Sequence, residues 1–213
     1  MTHRPSTDDL IRTLAASPPP PQLGAWGLVL PMLASVGIAL GLFMVLFGPR
    51  ADLVHALARP TVAAKTVLPL ALALVALTLA VRSTRPARPL RRSLLALPVA
   101  AALALFVARL IQLPSGPVVP ELIGSSAAAC LLSITALSLP ATVVGLVLFR
   151  SGASPHPAFT GAMIGVSSAA AAAAGYALHC TEDSPLFFTT WYGAAILAAA
   201  VGGGAAGRHF LRW

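Results

Sequence analysis

AWGLVLPMLASVGIALGLFMVLFG, residues 25–48, carries no charged side chain over 24 positions. A helix that spans a bilayer needs about 20 consecutive apolar residues. The run is continuous rather than alternating, which argues against a barrel strand. Five further runs follow at about 66–81, 94–113, 126–149, 160–178 and 187–207. The second is short, with Thr61 as an alternative start.

Composition agrees with this reading. Hydrophobic residues make up 57% of the 213-residue chain and charged residues 9%, and the mean hydropathy is +0.85. A soluble domain carries about 25% charged residues, so part of this surface is expected to face lipid. The fold class predicted is an all-α integral membrane protein, a six-transmembrane-helix bundle. Residues 1–24 form a cytoplasmic tail with one short amphipathic helix, and residues 25–213 form the membrane domain. The first apolar run is too long for the h-region of a cleavable signal peptide. Two cysteines exclude a disulfide-dense scaffold. The net charge of +8 would suggest nucleic acid in a soluble protein. In a membrane protein it marks cytoplasmic loops, and no direct nucleic-acid contact is expected.

The basic residues orient the spans. Arg4, Arg12, Arg82, Arg85, Arg88, Arg91, Arg92, Arg150, Arg208 and Arg212 fall on one side, and Arg50, Arg59 and Lys65 on the other. Ten against three places both termini in the cytoplasm, and the protein in a bacterial inner membrane. Arg109 lies near the outer end of the third span and reads as a side chain snorkelling to the interface. Pairing with Glu121 is the alternative. Gly37/Gly41, Gly161/Gly165 and Gly203/Gly207 are GxxxG pairs, and Ala169 to Ala174 is a run of six alanines. Small residues allow close approach of membrane helices, so the bundle should be tight; as a sign of a homo-oligomer the motif is weak in so alanine-rich a chain. Pro31, Pro69, Pro98 and Pro140 interrupt the first four spans and read as kinks, with hinges as the alternative.

Against this background LHCTEDSPLFFTTWYG, residues 178–193, gathers His179, Cys180, Glu182, Asp183 and Ser184. The topology brings Cys130 to a similar depth on the same outer side. Three readings of the cysteines stay open from chemistry alone. They are a small buried hydrophobe beside an incidental thiol, a structural disulfide in an oxidising periplasm, and a sensor in which thiolates meet an oxidant or a soft metal. His179, Glu182 and Asp183 are candidate auxiliary ligands. Asp183-Ser184-Pro185 also reads as the cap of the sixth helix, and Trp191 and Tyr192 as an aromatic interface belt.

At the N-terminus, Ser6 and Thr7 are N-cap candidates, and Asp8 and Asp9 suit the positive end of a helix. Leu10, Ile11 and Leu14 then share one face. So short a helix is marginal alone and gains order by laying that face in a partner's groove. Its two acids disfavour anionic lipid, which leaves a protein as the expected partner.

The block His179-Cys180-Thr181-Glu182-Asp183-Ser184-Pro185, with Phe187, Trp191 and Tyr192, resembles the signature of NrsF-type membrane anti-sigma factors, the negative regulators of sigma-F. The resemblance extends over nearly the whole chain, including Asp8-Asp9-Leu10-Ile11-Arg12 and the C-terminal Leu211-Arg212-Trp213. It implies a membrane-held inhibitor of an extracytoplasmic-function (ECF) sigma factor; the N-terminal helix read above, with Asp9, Leu10, Ile11 and Leu14, is then the expected sigma contact. It also implies that Cys130 and Cys180 sense metal or oxidative stress, with transient binding of a soft or heavy metal ion and no resident cofactor. The competing class is a small membrane transporter or channel for a metal or small solute. Such sites place ionisable groups at the midplane, and no Asp, Glu, Lys or His falls near the middle of any span. No nucleophile–base pair or phosphate loop is present, so no enzymatic activity is expected.

Overall fold

The computed structural model describes residues 6–16, 23–85, 90–113 and 118–212. It is all-helical among these residues. A short helix α1 (Thr7–Ala16) precedes α2 (Ala25–Phe47), α3 (Leu53–Leu57) and α4 (Pro60–Ser83). A 3-10 turn at Arg92–Leu95 leads into α5 (Ala96–Gln112), followed by α6 (Val118–Ile123), α7 (Ala127–Phe149), α8 (Pro157–Tyr176) and α9 (Pro185–Phe210). Six of these segments are long and apolar enough to cross a membrane: α2, α4, the segment containing α5, the segment from α6 through α7, α8 and α9. They coincide with the six runs read from sequence.

The second span begins at the earlier of its two expected starts, near Thr61. α4 starts at Pro60, a residue suited to a helix's first turn because its missing N–H has no intrahelical partner there. Lys65 therefore lies inside the helix and not in the preceding loop. Pro98 sits in the first turn of α5 and interrupts nothing, whereas Pro31, Pro69 and Pro140 lie inside α2, α4 and α7.

α8 occupies the centre: 67% of its apolar window is buried, against 6% for the segment containing α5. The reason is side-chain size. Ala169, Ala170, Ala172 and Ala173 are fully buried, and with so little side chain the backbones of α4, α7 and α9 pack close against α8. The seam with α9 is tightest. A methyl group at Gly161 would fall on the Gly203 carbonyl, and one at Gly207 would sit 2.5 Å from the Pro157 carbonyl oxygen. Two of the three GxxxG pairs are thus used within the chain, while Gly37 and Gly41 face open space.

Two buried clusters result. One, near one end, joins Cys130, Ile134, Tyr176, Cys180, Phe187, Phe188 and Tyr192. The other joins Leu28, Met32, Leu79, Phe149, Ile164 and Leu211. At the end away from the cysteines, Ser83 and Ser154 both hydrogen-bond the buried Thr160 hydroxyl, at 2.7 and 2.6 Å. Arg92 stacks over the Phe159 ring at 4.4 Å. α5 packs only at the edge, on α4 and α9.

Candidate functional site

Cys130 sits one turn into α7, its N–H bonded to the Ser126 carbonyl at 2.8 Å. Cys180 follows the last turn of α8, its N–H bonded to the Tyr176 carbonyl at 3.0 Å. Helix direction alone brings these positions, fifty residues apart, to one end of the bundle. Both thiols are free, and both are buried in one cluster with Tyr176 and Tyr192, at 0% and 4% exposure. Tyr192, expected in an interface belt, belongs to this core instead and is 2% exposed. Trp191 donates its indole N–H to the Leu122 carbonyl at 2.9 Å, tying α6 to α9.

The polar side chains next to Cys180 have other partners. His179 Nδ1 lies 2.7 Å from the Gly48 carbonyl oxygen, and its ring packs edge-on against Phe43 at 5.1 Å. Gly48 ends α2 with φ 74°, a backbone conformation open to glycine at little cost. The Glu182 carboxylate accepts from the Ser125 N–H and hydroxyl, at 2.9 and 2.7 Å. The turn that presents Ser125 needs Gly124 at φ +58°; a Cβ there would meet the Phe187 ring at 2.6 Å. Among the described residues no three His, Cys, Asp or Glu side chains form a metal-holding group.

Asp183 is the anionic centre of the end. Its carboxylate takes Arg50 Nη1 at 2.7 Å and Nη2 at 3.1 Å, Arg59 Nη2 at 2.9 Å and Lys65 Nζ at 3.2 Å. Arg50 also grips Asp52 through Nε at 2.7 Å. Burial by itself would raise the Asp183 carboxyl, but the Arg50 and Lys65 cations outweigh it and hold it below its ordinary range. The same bonds, Asp183 first and then Asp52, push Arg50 above its already high value, and Arg50 in turn lowers Asp52. Asp183 does not cap α9. Ser184 does, its hydroxyl oxygen accepting from the Leu186 N–H at 3.2 Å while its O–H donates to Glu121 at 2.6 Å. Glu121 is also paired with Arg109 through two bonds of 2.7 and 3.1 Å. This replaces the snorkelling reading of Arg109 with the ion pair.

Reading the sequence for topology missed what Arg50, Arg59 and Lys65 do here. A signal was available in the charge balance. Four cations (Arg50, Arg59, Lys65, Arg109) and four acids (Asp52, Glu121, Glu182, Asp183) belong to this end, and the chain has only six acids. An apolar end with balanced charges is one where the charges have partners.

In the N-terminal helix, Ser6 is the cap. Its hydroxyl accepts from the Asp9 N–H at 3.2 Å, as an N-cap does, and donates to the Asp9 carboxylate at 2.7 Å. Leu10 and Ile11 are 53% and 58% exposed, an apolar face left uncovered within the chain. Leu14 lies on the same helix, with its side chain outside the described residues.

Comparison with known proteins places the chain. The family described as "Negative regulator of sigma F" (NrsF) matches residues 14–213. A protein of Caulobacter vibrioides (strain NA1000 / CB15N) named "Anti-sigma-F factor NrsF" is 33% identical over 220 residues, covering 97% of this chain and 99% of that one. No solved structure matches. With nearly its whole length matched, this chain belongs to the NrsF family of negative regulators of sigma F.

Proposed function

We propose that this protein is an inner-membrane anti-sigma factor. It holds an ECF sigma factor at the cytoplasmic face through α1 and releases it when Cys130 and Cys180, at the periplasmic end, react with a soft metal or an oxidant. The observation that carries the reading is the match to the family of negative regulators of sigma F along residues 14–213. Two features of the molecule support the finer parts. The exposed Leu10 and Ile11 on a capped helix give an amphipathic segment with its apolar face free for a partner's groove. Two free thiols in one buried cluster put two soft sulfur donors at the same end of the bundle, where a thiophilic metal or an oxidant would act.

Binding at the thiols acts only through its differential affinity for two arrangements of the bundle. A tenfold loss of sigma affinity needs about 1.4 kcal/mol of coupling, well within what thiol–metal bonding supplies. The test of sigma binding is Leu10→Ala combined with Leu14→Ala in the full-length protein. Removing a buried anchor side chain costs about 1 kcal/mol or more at an interface, so the pair should weaken sigma binding by about tenfold or more. Sigma-dependent transcription should then rise without stress, and the sigma factor should no longer co-purify with the tagged protein. Full repression by the doubly substituted protein at normal membrane levels would show that α1 is not the binding element.

A further inference from the structure

Lys65 is the chain's one lysine, and it is wholly buried. Its ammonium donates to the Cys180 carbonyl at 2.7 Å, the Glu182 carbonyl at 2.9 Å and the Asp183 carboxylate at 3.2 Å. Three protons meet three acceptors, which is how a buried ammonium is made tolerable. Arg50, 7% exposed, reaches the same Cys180 carbonyl through Nη1 at 3.3 Å. Its own N–H donates to the Leu178 carbonyl at 3.0 Å. The backbone of the residue that carries the thiol is thus the shared acceptor of two buried cations. One belongs to the loop after α2, the other to the second turn of α4.

We infer that Lys65, seconded by Arg50, is a latch that couples the state of the Cys180 thiol to the position of α4. The inference rests on the reading of Cys180 as the reactive thiol. A cysteine side chain has a single rotor between backbone and sulfur. In a packed cluster of Tyr176, Phe187, Phe188 and Tyr192, new bonding at that sulfur displaces the backbone along with it. The carbonyl then leaves Lys65 and Arg50, and each buried cation is left one acceptor short. Lys65 keeps the Glu182 carbonyl and Asp183, and Arg50 keeps Asp52 and Asp183. A buried donor without its acceptor is disfavoured. The stable alternatives are two: a closed latch with every donor satisfied, or an open one in which the first turns of α4 have moved to bring Lys65 to water. α4 is a single helix from the latch to Ser83, where the Ser83 hydroxyl meets Thr160 at 2.7 Å. A shift at one end is therefore felt at the other, the end proposed to face the sigma factor. The bistable element is the latch, and both the thiol and α4 bias it.

The test uses the full-length protein in its native membrane, with its amount measured. Lys65→Met keeps the length of the side chain and removes its donors. It should speed alkylation of Cys180 by N-ethylmaleimide at least tenfold in a Cys130→Ser background. It should also turn on sigma-dependent transcription without any inducer, and still do so when Cys180→Ser is added, because the latch acts after the thiol. Arg59→Ala removes an exposed partner of Asp183 and should move both readouts the same way by a smaller factor. If either readout stays at the wild-type level in Lys65→Met, the latch is refuted. If Lys65→Met does not accumulate, wild-type behaviour of both readouts in Arg59→Ala refutes it equally. Failure of the thiol reading looks different: Cys180→Ser alone would then respond normally to inducer, whatever Lys65→Met does.

Discussion

Gly161→Ala tests the packing that places α8 at the centre. The added methyl falls on the Gly203 carbonyl, with the Gly207 Cα only 2.8 Å away. Every obstacle is backbone, so no rotamer change relieves the clash and α9 must move off α8. Overpacking of this kind costs about 1–3 kcal/mol, and the value here should lie near 3. That is a factor of about 150 in the unfolding equilibrium. For a chain of this size it corresponds to about 6–12 °C in Tm. The assay is built into the molecule: Cys130 and Cys180 are both buried, so a fluorogenic maleimide reports unfolding of the detergent-purified protein on heating. Gly37→Ala and Gly41→Ala are the controls, because a Cβ at either position meets nothing within 4 Å. They should leave Tm unchanged or slightly raised, alanine being the better helix former. A Tm within 2 °C of wild type for Gly161→Ala would refute the seam.

Two further outcomes are expected, the first from the distribution of basic residues and the second from the ion pairs of Asp183. Reporter fusions after residue 88 and at the C-terminus should report cytoplasm and one after residue 183 periplasm; a cytoplasmic signal at 183 would remove the proposed outer placement of the thiols. The Asp183 carboxyl is held below its ordinary range, so its stabilising pairs are complete above the unfolded value of about 3.9 and are lost as pH falls through the lower folded value. Thermal stability should therefore show no Asp183-dependent loss between pH 7 and 5 and a loss below about pH 4 that Asp183→Asn removes. An Asp183-dependent loss already complete at pH 5 would contradict the pairing.

The six long helices were legible because each is a long, predominantly apolar run, and length against bilayer thickness is a strong constraint. The start of α4 was legible only as one of two alternatives, because a lysine near a helix end reads as an exposed loop charge. Only the fold shows that the carbonyls of Cys180 and Glu182 come within reach of it. The same holds for Asp183. Sequence placed it equally well as a helix cap, and the choice went to Ser184 because three cations from distant segments claim the Asp183 carboxylate. Arg109 and Glu121 are twelve residues apart across a loop, so their pairing was visible only as one of two alternatives. The burial of both cysteines in one cluster goes beyond what shared helix direction implied, which was similar depth and no more.

Cys130 and Cys180 are proposed to act as a pair whose joining releases the sigma factor. The most direct measurement is sigma-dependent transcription, with membrane protein levels, in cells given phenylarsine oxide, whose arsenic bridges two neighbouring thiols. The wild type should respond. Cys130→Ser and Cys180→Ser should each accumulate normally, repress normally and stay silent under the arsenical. Full induction in both single variants would contradict the account.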